Sequence, residues 1–187
     1  MLTKDNTGLI VVDIQGKLAR LVHDSAALIA NCEKLIQGVH VLEIPIITLE
    51  QNPTKLGATV DELSTLLNPN KPITKFTFNG CEQAEFVDAV KRAASSINKD
   101  KQINTWLVCG IEAHICVYQT AMGLVDLGYK VEIVTDCISS RTLANKQLAV
   151  NKLVNNGVDI TGLEMCLYEL VKGCNEPEFK QILGLIR

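Results

Sequence analysis

The chain has 187 residues and a formal net charge of −3, with 47% hydrophobic and 21% charged residues. That balance is ordinary for a soluble globular protein, and the length suits one domain over 1–187 that buries about 70% of its unfolded surface. It excludes the basic stripe that phosphate backbones demand, so no nucleic acid partner is expected. No apolar run approaches the ~20 residues of a membrane span.

Residues Met1 to Asn6 hold no basic segment leading into an apolar one, so a signal peptide is not indicated and a cytoplasmic location is expected. The seven cysteines are an odd number and include no C-x-x-C pair. They read as a set kept reduced, six of them small buried hydrophobes.

In chain order, Gly8 to Val12 is an apolar run ending in Asp13, the pattern of a strand buried on both faces. Ser25 to Val41 follows with Leu28, Cys32, Leu35, Ile36 and Val39 at helical spacing. Ile44 to Leu49 reads as a second strand, with Pro45 near its start. A loop rich in Asn, Pro and Gly is expected from Glu50 to Thr59, then a short helix from Val60 to Leu67 and a short strand from Pro72 to Phe76. Asn79 is placed to cap a helix carrying Phe86, Val87, Val90 and Ala94 on one face.

Thr105 to Cys109 is a fourth strand closed by Gly110, and Ile115 to Leu127 a helix stopped by Gly128. Tyr129 to Val134 is a strand, Leu143 to Asn156 a helix ended by Gly157, and Val158 to Thr161 the last strand. Helices near Glu164 to Leu170 and Pro177 to Ile186 complete the chain. Strands alternating with helices over short connections make right-handed βαβ units. The expected fold class is therefore α/β, a three-layer αβα sandwich with a mainly parallel, Rossmann-like open sheet of about six strands.

Such sheets gather ligands beyond the carboxyl ends of their strands. Asp13 ends the first strand, Lys75 lies at the end of the third, and Cys116 opens the helix after the fourth. An acid, a base and a thiol thus converge on one edge. A thiol in the first turn of a helix lies near the positive end of the dipole, and a lysine beside it would lower its pKa further. Taken singly, Asp13 reads as a turn cap and Lys75 as a solvated surface lysine. His114 is two residues from Cys116, and residues two apart on a helix do not face each other, so a Cys–His dyad is not expected.

Three segments carry a resemblance. They are Val11-Val12-Asp13-Ile14-Gln15, Ile73-Thr74-Lys75-Phe76-Thr77-Phe78, and Cys109-Gly110-Ile111-Glu112-Ala113-His114-Ile115-Cys116-Val117-Tyr118-Gln119-Thr120-Ala121. In this order they resemble the isochorismatase-like cysteine hydrolases. Thr48 to Pro53, with Leu56 to Thr59, is similar to the small single-domain branch that includes the isochorismatase-domain-containing proteins.

The resemblance implies hydrolysis of a small-molecule C–N (amide-type) bond through a thioester acyl-enzyme. Asp13 would be proton acceptor and donor, Lys75 its partner and Cys116 the nucleophile. It further implies a non-proline cis peptide at Ile111–Glu112, with backbone N–H groups of Glu112 and Cys116 facing the oxyanion. Gln15, Glu50, Gln51, Phe76 and His114 are candidates for lining the substrate pocket.

The nicotinamidase branch holds a metal through an Asp-x-His and a further histidine. Here that stretch reads Glu50-Gln51-Asn52, and no histidine lies between His40 and His114. No metal and no cofactor are therefore expected. The branch that cleaves the vinyl ether of isochorismate works without the cysteine, so Cys116 favours amide-type hydrolysis. Asp136, Ser139 and Ser140 form a D-x-x-S-S that reads first as a turn and helix cap. Relatives assemble, so a homo-oligomer, dimer or higher, is implied. The alternatives are a redox- or electrophile-responsive cysteine protein and a non-catalytic interaction protein on the same scaffold.

Overall fold

The computed structural model describes residues 1–68, 71–95 and 102–187. Six strands are formed by the apolar runs: β1 (Thr7–Val12), β2 (Ile46–Gln51), β3 (Ile73–Lys75), β4 (Thr105–Gly110), β5 (Lys130–Ile138) and β6 (Asp159–Thr161). They pair in the order β3-β2-β1-β4-β5-β6, and every pairing is parallel. The strand order reverses between β1 and β4. A crevice opens beyond the strand ends at such a switch point, and it is where this class of sheet binds ligands.

Alternation along the strands sorts the core into two halves. Leu9, Val11, Ile46, Leu107 and Cys109 face one layer, made of α2 (Ser25–Val41), α4 (Asp61–Leu67), α8 (Leu163–Val171) and α9 (Phe179–Ile186). Ile10, Val12, Leu49, Ile73 and Val108 face the other, made of α5 (Ala84–Ala94), α6 (Tyr118–Asp126) and α7 (Leu143–Asn155). Both faces of β1 and β4 are covered, which is why these strands are continuous apolar runs.

Several boundaries differ from the sequence reading. Pro45 lies just before β2, where its carbonyl accepts from Leu9 N at 2.9 Å. The strand then runs on through Glu50 and Gln51, so these belong to the sheet and not to a loop. The stretch after them contains a turn of helix, α3 (Pro53–Leu56), and α1 (Leu18–Leu21) precedes α2. Asn79 caps a 3-10 turn at Gly80–Glu82, its side chain accepting from Cys81 N at 2.9 Å, and α5 begins only afterwards. β5 continues past Val134 to Ile138, with a register shift opposite Val108 and Gly110. Cys137, near the end of that strand, is fully buried.

Candidate active site

Asp13 leaves β1 with φ +53° and turns its carboxyl under the sheet edge, where it is 2% exposed. Lys75 ends β3, which has only three residues, so alternation alone decides which side chains point inward. Lys75 is 0% exposed, whereas Phe76 after it is 70% exposed. The surface-lysine reading of Lys75 is therefore wrong. Its ammonium donates to Asp13 Oδ2 at 2.7 Å, to Gln51 Oε1 at 2.7 Å and to the Thr77 carbonyl at 3.4 Å.

Cys116 completes the group from β4. The chain leaves that strand through Gly110 at φ +122°, where a Cβ would stand 2.0 Å from the Val12 carbonyl oxygen, so only glycine fits. A cis peptide joins Ile111 to Glu112, as the sequence resemblance implies. Residues Ala113–Val117 then form a turn of π-helix, and α6 starts only at Tyr118. Cys116 thus sits in a π turn ahead of the α-helix, 7% exposed, where the Asp13 carboxylate and the Lys75 ammonium both act on its thiol. Among the described residues, Asp13 Oδ1, the oxygen that Lys75 leaves free, has no hydrogen-bond partner.

The electrostatics correct one expectation. Burial, followed by the Asp13 carboxylate, pushes the Cys116 thiol up to about 12, and the pull of Lys75 in the other direction is weaker. Burial and Asp13 together therefore favour the neutral thiol over a standing thiolate. Burial also raises the Asp13 carboxyl above its ordinary value, with Lys75 opposing, which makes Asp13 the stronger base.

Segment 139–141, after β5, straps the turn that carries Cys116. Ser139 O accepts from Ala113 N at 2.8 Å, His114 Nδ1 and Ser140 Oγ are 3.0 Å apart, and Arg141 donates through N and Nε to Glu112 Oε2 at 3.0 and 3.2 Å. The D-x-x-S-S pattern signalled turn chemistry but not this contact. Its Asp136 accepts from Leu163 N at 2.8 Å and so caps α8.

The pocket candidates separate. Gln15 is fully buried, and its amide is consumed internally: Oε1 accepts from Gln51 N at 2.7 Å, while Nε2 donates to Gln51 O at 3.1 Å and Gly57 O at 2.6 Å. Glu50 faces the other side of the sheet from Lys75. Its Oε1 accepts from Thr59 N and Oγ1, both at 2.7 Å, beside a cavity of about 510 Å³. His114 lines a separate cavity of about 380 Å³ with Tyr118 and Lys152. Phe76 projects to solvent.

The stretch where nicotinamidase-type relatives hold a metal does not fit one here. The Gln51 oxygen already receives the Lys75 ammonium, and Glu50 Oε1 already receives two donors. Among the described residues, no group of three or more His, Cys, Asp or Glu is placed to hold a metal ion.

Sheet and site together define an open parallel α/β protein with a thiol, a carboxyl and a lysine gathered at the carboxyl edge of the sheet. The chain belongs to the isochorismatase family: residues 7–165 match the isochorismatase domain. Isochorismatase domain-containing protein 2 of Danio rerio is 33% identical over 178 residues, covering 95% of this chain and 85% of the relative. Among solved structures, the MAR1 ribonuclease of Caenorhabditis elegans superposes with a TM-score of 0.89 at 32% identity, covering 99% of this chain and 91% of that one. Escherichia coli YcaC, described as an octameric hydrolase of unknown specificity, shares the fold with a TM-score of 0.85 at 20% identity, over 99% of this chain and 86% of its own. Among the described residues, no helix is long and apolar enough to cross a membrane.

Proposed function

We propose that this chain is a metal-independent cysteine hydrolase that cleaves the C–N bond of a small amide-type substrate. The observation that carries the reading is the buried Asp13–Lys75 ion pair, with the Cys116 thiol near enough for both charges to act on it. A fully buried ion pair is costly and adds little stability by itself, so its position at a ligand-binding sheet edge points to chemistry.

Attack begins from the neutral pair. The Cys116 sulfur forms a bond to the substrate carbonyl carbon as its proton passes to Asp13 Oδ1. The carbonyl oxygen becomes an oxyanion, towards which the Glu112 N–H is available; among the described residues that N–H enters none of the backbone bonds of the turn. The intermediate collapses, the C–N bond breaks, and the amine leaves with the proton from Asp13. Water then adds to the thioester and gives its proton to Asp13, and the departing sulfur takes that proton back. The products are a carboxylic acid and an amine or ammonia. Lys75 keeps one positive charge on Asp13 throughout and is not itself consumed.

The redox-sensor alternative is favoured by an exposed, easily ionised thiol, whereas Cys116 is buried and its thiol is pushed up. A ribonuclease reading, raised by the name of the nematode neighbour, sits poorly with a net charge of −3. We further propose a homo-oligomer, as YcaC is described to be. Phe76, Leu148, Ile160 and Met165, all large and exposed, supply apolar surface for one.

Acid-quenched mass spectrometry during turnover of small amides and activated esters tests the reading. An acyl adduct is expected on the peptide containing Cys116, and none in Cys116→Ala. An adduct on another residue, or equal turnover in Cys116→Ala, would refute the mechanism.

A further inference from the structure

Lys75 has three ammonium protons and three acceptors, and only one acceptor is charged. The second short contact, to Gln51 Oε1 at 2.7 Å, is as close as the one to Asp13. An amide can present either end, so something must fix which atom faces the ammonium. Two contacts do so. Gln51 Nε2 donates to the Phe76 carbonyl at 3.0 Å, which turns Oε1 towards Lys75. The Gln51 backbone is clamped through both N and O by the buried Gln15 amide.

We infer that Gln51 is a positioning residue, a neutral acceptor oriented by Gln15 and Phe76 that holds the Lys75 ammonium against Asp13 without adding charge. The inference rests on the proposed thiol–carboxylate–lysine unit and assigns the half-buried Gln51 to that unit instead of to the substrate.

Neutrality matters because of what surrounds the thiol. The charged groups acting on Cys116 are Asp13 from β1 and Lys75 from β3. Glu112, in the adjoining turn, is bonded to Arg141, and His114 faces Ser140. One negative and one positive charge therefore oppose each other beside the sulfur, the negative one acting more strongly. A carboxylate at position 51 would tip that balance, and an apolar side chain would leave an ammonium proton without its acceptor. Either change makes the thiol harder to ionise.

The test is the pH dependence of Cys116 alkylation by iodoacetamide, read by peptide mapping from neutral to alkaline pH. The proteins are wild type, Gln51→Glu, Gln51→Met and Asp13→Asn, each checked for folding by circular dichroism. Asp13→Asn removes the negative neighbour and should bring the midpoint down. Gln51→Glu should move it upward through the added charge, read as alkylation slowed roughly tenfold at a fixed alkaline pH. Gln51→Met should slow alkylation at fixed pH roughly tenfold, as expected for loss of one hydrogen bond to a charged group.

A packing role alone would leave the midpoint where it is. If Asp13→Asn shifts the midpoint while both Gln51 variants keep the wild-type value or lower it, the positioning role is wrong and the unit stands. If Asp13→Asn leaves the midpoint unmoved, the unit itself is wrong, and Gln51 has nothing to position.

Discussion

Replacing Lys75 by methionine keeps the bulk of a fully buried side chain and removes its charge. The Asp13 carboxylate is then buried without the Lys75 cation, and among the described residues its Oδ1 already lacks a partner. Breaking a buried pair in this way costs about 3–5 kcal/mol. The acid limits the loss by taking up a proton, at about 1.36 kcal/mol for each pH unit above its ordinary value near 4, so the expected cost at pH 7 is about 3–4 kcal/mol.

The sign follows from the direction of the shift. Burial already raises the folded-state pKa of Asp13, and Lys75→Met removes the group that opposes it. A raised carboxyl gives a contribution that is fully present below its unfolded value and is lost as pH rises through its folded value. Lys75→Met should therefore nearly match wild type near pH 4 and fall progressively behind towards pH 7. Urea unfolding at several pH values measures this. Adding Asp13→Asn should return most of the stability at pH 7 without returning activity. Equal stability of Lys75→Met and wild type at pH 7, with no pH-dependent gap, would refute the buried-pair reasoning.

Iodoacetamide at neutral pH should label exposed Cys174 well before Cys116, which is shielded and has its thiol pushed up, and peptide mapping should find activity intact at that stage. Gly110→Ala forces a Cβ against the Val12 carbonyl and should cost more than ~3 kcal/mol in denaturant unfolding, or prevent soluble expression. Asp136→Ala removes the acceptor for Leu163 N and should lower stability by about 1 kcal/mol while leaving turnover unchanged, as expected of a helix cap outside the site.

The sheet was legible because burial on both faces turns a strand into an unbroken apolar run. Gly8 to Val12 and Thr105 to Cys109 are such runs, and the residues after them, Asp13 and Gly110, are where the chain turns. The three site residues could be placed at one sheet edge by topology alone. Their protonation could not, because it depends on burial that no spacing displays. Cys116 reads as a helix-start thiol, yet it lies in a π turn where desolvation and Asp13 outweigh Lys75. The sequence places Lys75 at the end of a short strand but does not show which face of it is inward; in the structure Ile73 and Lys75 share the buried face, and Phe76, just beyond the strand, is exposed. The Gln15–Gln51 clamp and the Glu50–Thr59 anchor are pairings across the fold with no periodic signature, so those side chains read from sequence only as pocket candidates.

Ammonia release from a panel of primary amides and ureido compounds, compared between wild type and Cys116→Ala, tests the hydrolase reading most directly. Wild type should release ammonia from at least one member of the panel, and Cys116→Ala should fall to the uncatalysed rate with its fold intact. Release at the wild-type rate from Cys116→Ala would contradict the assignment of the nucleophile. So would RNA cleavage by wild type in the absence of ammonia release from any amide.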